Sequence, residues 1–157
     1  MRTFFWLMGI AVGLSAGEGA VFCQEKSSSA LVVKNTFTRP EDVLAAFLNY
    51  DEQGYIWAGM SDLSRSALTN WQESPASETF YRYAKRTLGK TTTVSASEVT
   101  IPVTWTVTEH RDGFGTQLAL PKDGRYQVSF RLKKESDGRW RIQAPTAGSY
   151  LPVLRLK

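Results

Sequence analysis

From Ile101 to Gln143 the chain alternates apolar and polar side chains in three regular stretches. Ile101, Val103, Trp105 and Val107 alternate with Pro102, Thr104, Thr106 and Thr108. Tyr126, Val128, Phe130 and Leu132 alternate with Gln127, Ser129, Arg131 and Lys133, and Trp140 and Ile142 with Arg139, Arg141 and Gln143. A period of two sends successive side chains to opposite faces, so the pattern predicts an antiparallel sheet with one face buried and one in water. The last connection has a testable register. A two-residue loop at Ser136-Asp137 would set Lys133 opposite Trp140 and mix the faces. A three-residue loop, Ser136-Asp137-Gly138, pairs Leu132 with Ile142 and Lys133 with Arg141, with Gly138 in the left-handed position such loops require.

Upstream the period changes. Val43, Leu44, Phe47, Leu48 and Asp51 fall on one face of a helix that follows Thr38-Arg39-Pro40-Glu41. Thr38 is placed to cap it, Pro40 sits in the first turn where no amide bond is lost, and Glu41 can reach back to the cap. Gln53-Gly54 ends it. Ile56, Trp57 and Met60, then Leu63, Ala67, Leu68 and Trp71, suggest two shorter helical pieces before the break at Ser74-Pro75-Ala76-Ser77. A third helix is expected from Ser77 to Leu88, carrying Phe80, Tyr81, Tyr83, Ala84 and Leu88, with Gly89 as its stop. The tail after Ala147, with Tyr150, Leu151, Val153, Leu154 and Leu156, is apolar enough to pack back on the domain or extend the sheet.

Composition narrows the class. At 157 residues and 42% hydrophobic, the chain suits one compact domain and lacks the signature of disorder. The start, MRTFFWLMGIAVGLSAGEGA, has one early cation, an uncharged run from Phe4 to Leu14 and small residues at Ser15-Ala16-Gly17. The run is short for a bilayer, which needs roughly 20 apolar residues, so it reads as a secretory signal peptide and not a transmembrane span. The expected organisation is a signal peptide over 1–17, a linker or tether over 18–37 (with Leu31-Val32-Val33 as a loose first strand) and a single domain over 38–157. The one cysteine, Cys23, precedes a polar Gln-Glu-Lys-Ser-Ser-Ser tether of the kind found after lipidated cysteines. Phe22 is bulky where a lipoprotein peptidase wants a small residue, so lipid anchoring is not the preferred reading. The protein is expected to be exported, to a periplasm or beyond, without an internal disulfide. A net charge of +4, reduced to +3 once Arg2 leaves with the signal, is too small to imply nucleic acid.

Helices first and then a long antiparallel sheet, with "RPEDVLAAFLNYDEQG" as first helix and "FRLKKESDGRWRIQAP" as closing hairpin, resembles the NTF2-like superfamily. The resemblance covers about Thr38 to Pro145. It implies an α+β cone in which N-terminal helices pack inside a curved antiparallel sheet, and it is silent on activity, since one fold hosts many functions.

An enzyme of that kind would place acid and base groups inside the cone. The inward strand positions hold only Tyr126 as a titratable group, and the carboxylates fall mainly at caps and turns, with Asp51 and Glu109 the nearest exceptions. His110, the only histidine, continues the strand phase outward, while Glu109 falls inward at the rim. No second metal ligand, phosphate loop or nucleophile elbow accompanies it, so no catalytic residue, metal or cofactor is assigned. Phe114, Leu118 and Leu120 are expected to pin the loop beyond it. Tyr55, Trp57, Tyr81, Trp105, Glu109, Tyr126, Phe130 and Trp140 are the candidates for an apolar ligand pocket, with core packing the preferred role of their rings. Arg131, Lys133, Arg139 and Arg141 share the wet face as a basic patch that an anionic envelope component or a protein could meet. The leading expectation is an exported, non-enzymatic binding or interaction domain. The alternative is a carrier of a small apolar ligand, or an isomerase-like or dehydratase-like enzyme using the cone interior. A homodimer through the sheet face would have to bring acidic groups against four cations, and oligomeric state stays open.

Overall fold

The computed structural model describes residues 35–55, 62–72, 77–145 and 149–155. The expected signal peptide, Cys23, the Leu31–Val33 stretch and Trp57 lie outside the described residues.

The first helix forms where its periodicity places it. Helix α1, Pro40–Glu52, buries Val43, Leu44, Phe47, Leu48, Tyr50 and Asp51. Its cap differs from expectation: Arg39 is the N-cap residue and its side chain makes no capping hydrogen bond. Glu41 turns instead to Arg39 at 3.7 Å and accepts a hydrogen bond from Thr91. Helix α2 is a short piece, Asp62–Leu68.

The third helix does not exist. Residues Thr79–Leu88 form strand β1 and pair along β3, Glu98–Asp112. Aromatic and β-branched side chains suit a half-buried strand, and β3 is fifteen residues long, with an edge that must find a partner. The apparent helical spacing came from bulges. Pairing slips between Arg82 and Tyr83, and again between Tyr83 and Lys85, leaving Thr108 and Ala84 as extra residues.

Strand β2, Thr92–Ser95, continues the same edge of β3 beyond β1, while β4, Arg125–Lys134, lies along the other edge. Strand β5, Trp140–Ala144, follows β4 through a turn in which Gly138 has φ +79. Leu132 faces Ile142 and Lys133 faces Arg141, the register that alternation requires. The tail returns as β6, Val153–Arg155, parallel to β1. The sheet order is β5-β4-β3-β1-β6, with β2 beside β3.

Among the described residues the domain is thus mostly β, built on a mixed six-stranded sheet with two short helices. It is not an α+β cone of helices inside an antiparallel sheet, because residues 79–88 join the sheet and β6 runs parallel to its neighbour. Asn35 already belongs to the packed body: its buried amide donates to the carbonyls of Ala67 and Trp140 at 2.6 and 2.9 Å.

Candidate functional site

The inner face of the sheet is filled with rings. Phe47 of α1 meets Trp71, Phe130 and Tyr150 at centroid distances of 5.4 to 5.7 Å. From there a chain of ring contacts runs along the sheet through Trp105, Tyr126 and Tyr81 to His110. Trp105 and Phe130 are fully buried, Tyr81 and Trp140 are buried, and Tyr126 and Tyr55 are half-buried against the same core. Tyr55 lies on Tyr50, 4.6 Å between centroids.

One carboxylate sits among these rings. Asp51 is 1% exposed; its Oδ2 accepts from the Tyr150 hydroxyl and from the Val153 amide at 2.9 Å. Loss of water pushes its carboxyl up to about 7, against the opposing pull of those two donors. The same burial, with Asp51 alongside, holds the Tyr150 phenol well above its usual range. Asp51 thus ties the tail to α1. The helical spacing placed it on the apolar face, but its partners are about a hundred residues away and no local pattern names them.

The far end of β3 corrects the expected phase. The extra residue at Thr108 turns the strand over, so His110 faces Tyr81 on the inner side and Glu109 faces Arg82 on the outer side. The His110 ring lies 4.5 Å from that of Tyr81, and its Nδ1 is 2.8 Å from the Ala119 carbonyl. Glu109 is shared by Arg111, at 2.7 Å, and Arg82, at 3.8 Å. Arg82, Glu109 and Arg111 line an open cleft of about 540 Å³ with Phe80, Asp112, Gly113 and Gly115. Phe114, expected to pin the loop, is instead 98% exposed at its tip.

The outer face is assembled in rows across three strands. Thr106 lies between Lys85 and Arg125, Thr104 between Thr87 and Gln127, and Lys133 between Glu98 and Arg141. Arg131 pairs with Glu98, and Arg141 with Asp137 at 2.6 Å. Hydrogen bonds from the Arg141 guanidinium, then from the Arg139 amide, hold Asp137 down at about 2. Lys133 and Arg139 remain exposed. Arg131 and Lys133 thus lie on the outer face with Arg141 opposite Lys133, as do Lys85 and Arg125, while Arg139 lies in the β4–β5 turn.

A further cleft of about 630 Å³ opens where Ala84 bulges, between the end of α1 and β6. Glu52 there pairs with Arg86, and burial followed by the Glu52 contact pushes the Tyr83 phenol up to about 12. Among the described residues no group of His, Cys, Asp and Glu could hold a metal, and no described helix is long and apolar enough to cross a membrane.

A ring-filled interior beneath a charged outer sheet face defines a mostly-β domain. The family of the N-terminal domain of lipoprotein LpqB matches residues 39–155, nearly all of the described fold, and the chain belongs to that family. This overturns the NTF2-like resemblance, which rested on element order that included a helix now seen to be β1. Family membership makes this an exported domain of a cell-envelope lipoprotein family. Comparison with curated proteins and with solved structures finds no match.

Proposed function

We propose that this is a non-catalytic binding domain of the cell envelope, which meets an anionic partner through the outer face of its sheet. The observation that carries this reading is the division of the two faces. The inner face is occupied by contacting rings, whereas the outer face carries Lys85, Arg125, Arg131, Lys133 and Arg141 among threonine and serine hydroxyls, with Arg139 in the adjoining turn; among the described residues Glu98 pairs with Arg131 and Asp137 with Arg141. Such a face attracts polyanions over a Debye length and holds them by charge-assisted hydrogen bonds. The ring packing of Trp105, Phe130 and Tyr150 speaks against a carrier or an enzyme that needs an open interior.

The test is retention on an immobilised acidic polysaccharide. Reversing Lys85, Arg125, Lys133 and Arg139 to Glu together should lower the salt needed for elution and abolish retention at about 0.15 M ionic strength. Retention unchanged by the four reversals would discard this reading. Family membership also favours lipid attachment at Cys23, despite Phe22 before it. Metabolic labelling with an alkyne fatty acid should mark the wild-type chain and not Cys23→Ala; an unlabelled wild type would leave export without an anchor.

A further inference from the structure

The β3–β4 loop presents an apolar group in a way that water does not require. Phe114 is 98% exposed at the tip, yet the turn that carries it is braced from Asp112 to Thr116. Five consecutive backbone N–H groups, from Asp112 to Thr116, all have partners within the protein. Asp112 donates to the Thr116 carbonyl at 3.1 Å and Gly113 to the Glu78 carbonyl at 2.8 Å. Gly115 donates to the Asp112 carbonyl at 3.1 Å, and Phe114 and Thr116 to the Asp112 carboxylate at 3.0 and 2.7 Å. The Gly115 carbonyl accepts from Arg111 at 3.0 Å. In water an exposed loop can leave such groups to solvent; where water is removed they must be paired internally.

Beside this tip lies the cleft whose lip is formed by Gly113 and Gly115, the two neighbours of Phe114. Its walls bring Arg82 and Arg111 to the single carboxylate of Glu109. Arg111 takes that carboxylate at hydrogen-bond distance. Arg82 Nε stands 3.8 Å away, buried and without a hydrogen-bond partner among the described residues. Nε is thus one acceptor short, and the partly exposed guanidinium keeps its outer N–H groups on the cleft wall, where a phosphate oxygen is an acceptor that suits them. Asp112, also on the cleft wall, opposes an anion, but its Oδ1 is already engaged by two backbone amides.

We infer that the Phe114 tip and the Arg82–Arg111 cleft together form a peripheral membrane contact, the ring entering the bilayer interface while the cleft takes the phosphate of an anionic phospholipid. A protein socket could also receive the ring, but it would supply its own acceptors, so the internal pairing of all five N–H groups favours lipid. The family supplies the setting, since a lipoprotein domain works beside a bilayer, and a second contact would add to an acyl anchor and fix the domain's orientation. The inference does not depend on the cationic outer face.

The experiment is flotation of the full chain carrying Cys23→Ser, so that no acyl chain contributes, with vesicles of phosphatidylcholine alone or mixed with phosphatidylglycerol. The chain should float with the mixed vesicles and weakly or not at all with phosphatidylcholine. Phe114→Ser should weaken flotation about tenfold or more, because it removes most of an aromatic side chain's transfer energy. Because this side chain touches nothing, its thermal melt should stay that of the parent. Arg82→Gln should remove the preference for phosphatidylglycerol, and free inorganic phosphate at millimolar concentration should not displace the chain. Flotation independent of Phe114 overturns the inference. Displacement by phosphate assigns the cleft to a soluble anion instead, and capture of a protein through Phe114 without vesicle binding assigns the tip to a protein; either overturns it. Loss of flotation only in the four-fold outer-face reversal would credit that face and not this tip.

Discussion

At the scale of single residues, Asp51 makes a sharp prediction. Its carboxyl is raised from an ordinary 3.8 to about 7 by burial, so between those values the folded chain holds a proton that the unfolded chain releases. Stability therefore falls as pH rises through that window and stays lower above it, by on the order of 4 kcal/mol. Asp51→Asn keeps an oxygen for Tyr150 and Val153 and removes the charge. Thermal melts from pH 4 to 8 should show a falling wild type and a flat variant that is the more stable at pH 7.5. A variant less stable than the wild type at that pH would mean that the ionised carboxylate is favourable where it sits. The sequence disclosed half of this: helical spacing placed Asp51 on the buried face, but its partners, Tyr150 and Val153, are long-range and leave no local mark. His110 and Glu109 are the opposite case. Alternation assigned both to faces, and one extra residue at Thr108 exchanged them.

At the scale of elements, regular alternation was legible and its interruptions were not. The β4–β5 register followed from keeping faces unmixed, and it set Arg141 opposite Lys133. β1 was hidden because Phe80, Tyr81, Tyr83, Ala84 and Leu88 match a helix nearly as well as a strand with a bulge at Ala84. The choice is made by β3, whose unpaired edge is a tertiary fact. The junction of β1 and β2 carries the next prediction. Gly89 donates to the Pro102 carbonyl at 2.7 Å, and a Cβ there would lie 2.5 Å from Pro102 Cγ. Gly89→Ala should cost about 1–3 kcal/mol in urea unfolding, the range for overpacking. Adding Pro102→Ala should recover part of the loss, since the clashing atom is then gone. Simple additivity of the two changes would place the cost elsewhere.

At the scale of the whole molecule, the tail decides whether the fold closes. Tyr150 is 1% exposed and contacts Phe47, Trp71 and Phe130, rings drawn from α1, the segment after α2, and β4. Val153 is fully buried, and its strand supplies the second neighbour of β1. An apolar tail was visible in the sequence, but not that it holds the centre of the ring cluster and both donors to Asp51. A chain ending at Pro145 would lose all of these at once. It would keep a desolvated carboxyl without donors and a hole where Tyr150 stood, costs that together rival the few kcal/mol by which domains of this size are stable. Such a chain should show no cooperative thermal transition and be cut throughout by a nonspecific protease. Tyr150→Phe is the graded counterpart. It keeps the ring contacts and removes one donor, so it should fold and unfold cooperatively with a loss of about 1–3 kcal/mol. Cooperative unfolding of the truncated chain would show that helix and antiparallel strands suffice without β6, and that Tyr150 merely covers a core already formed.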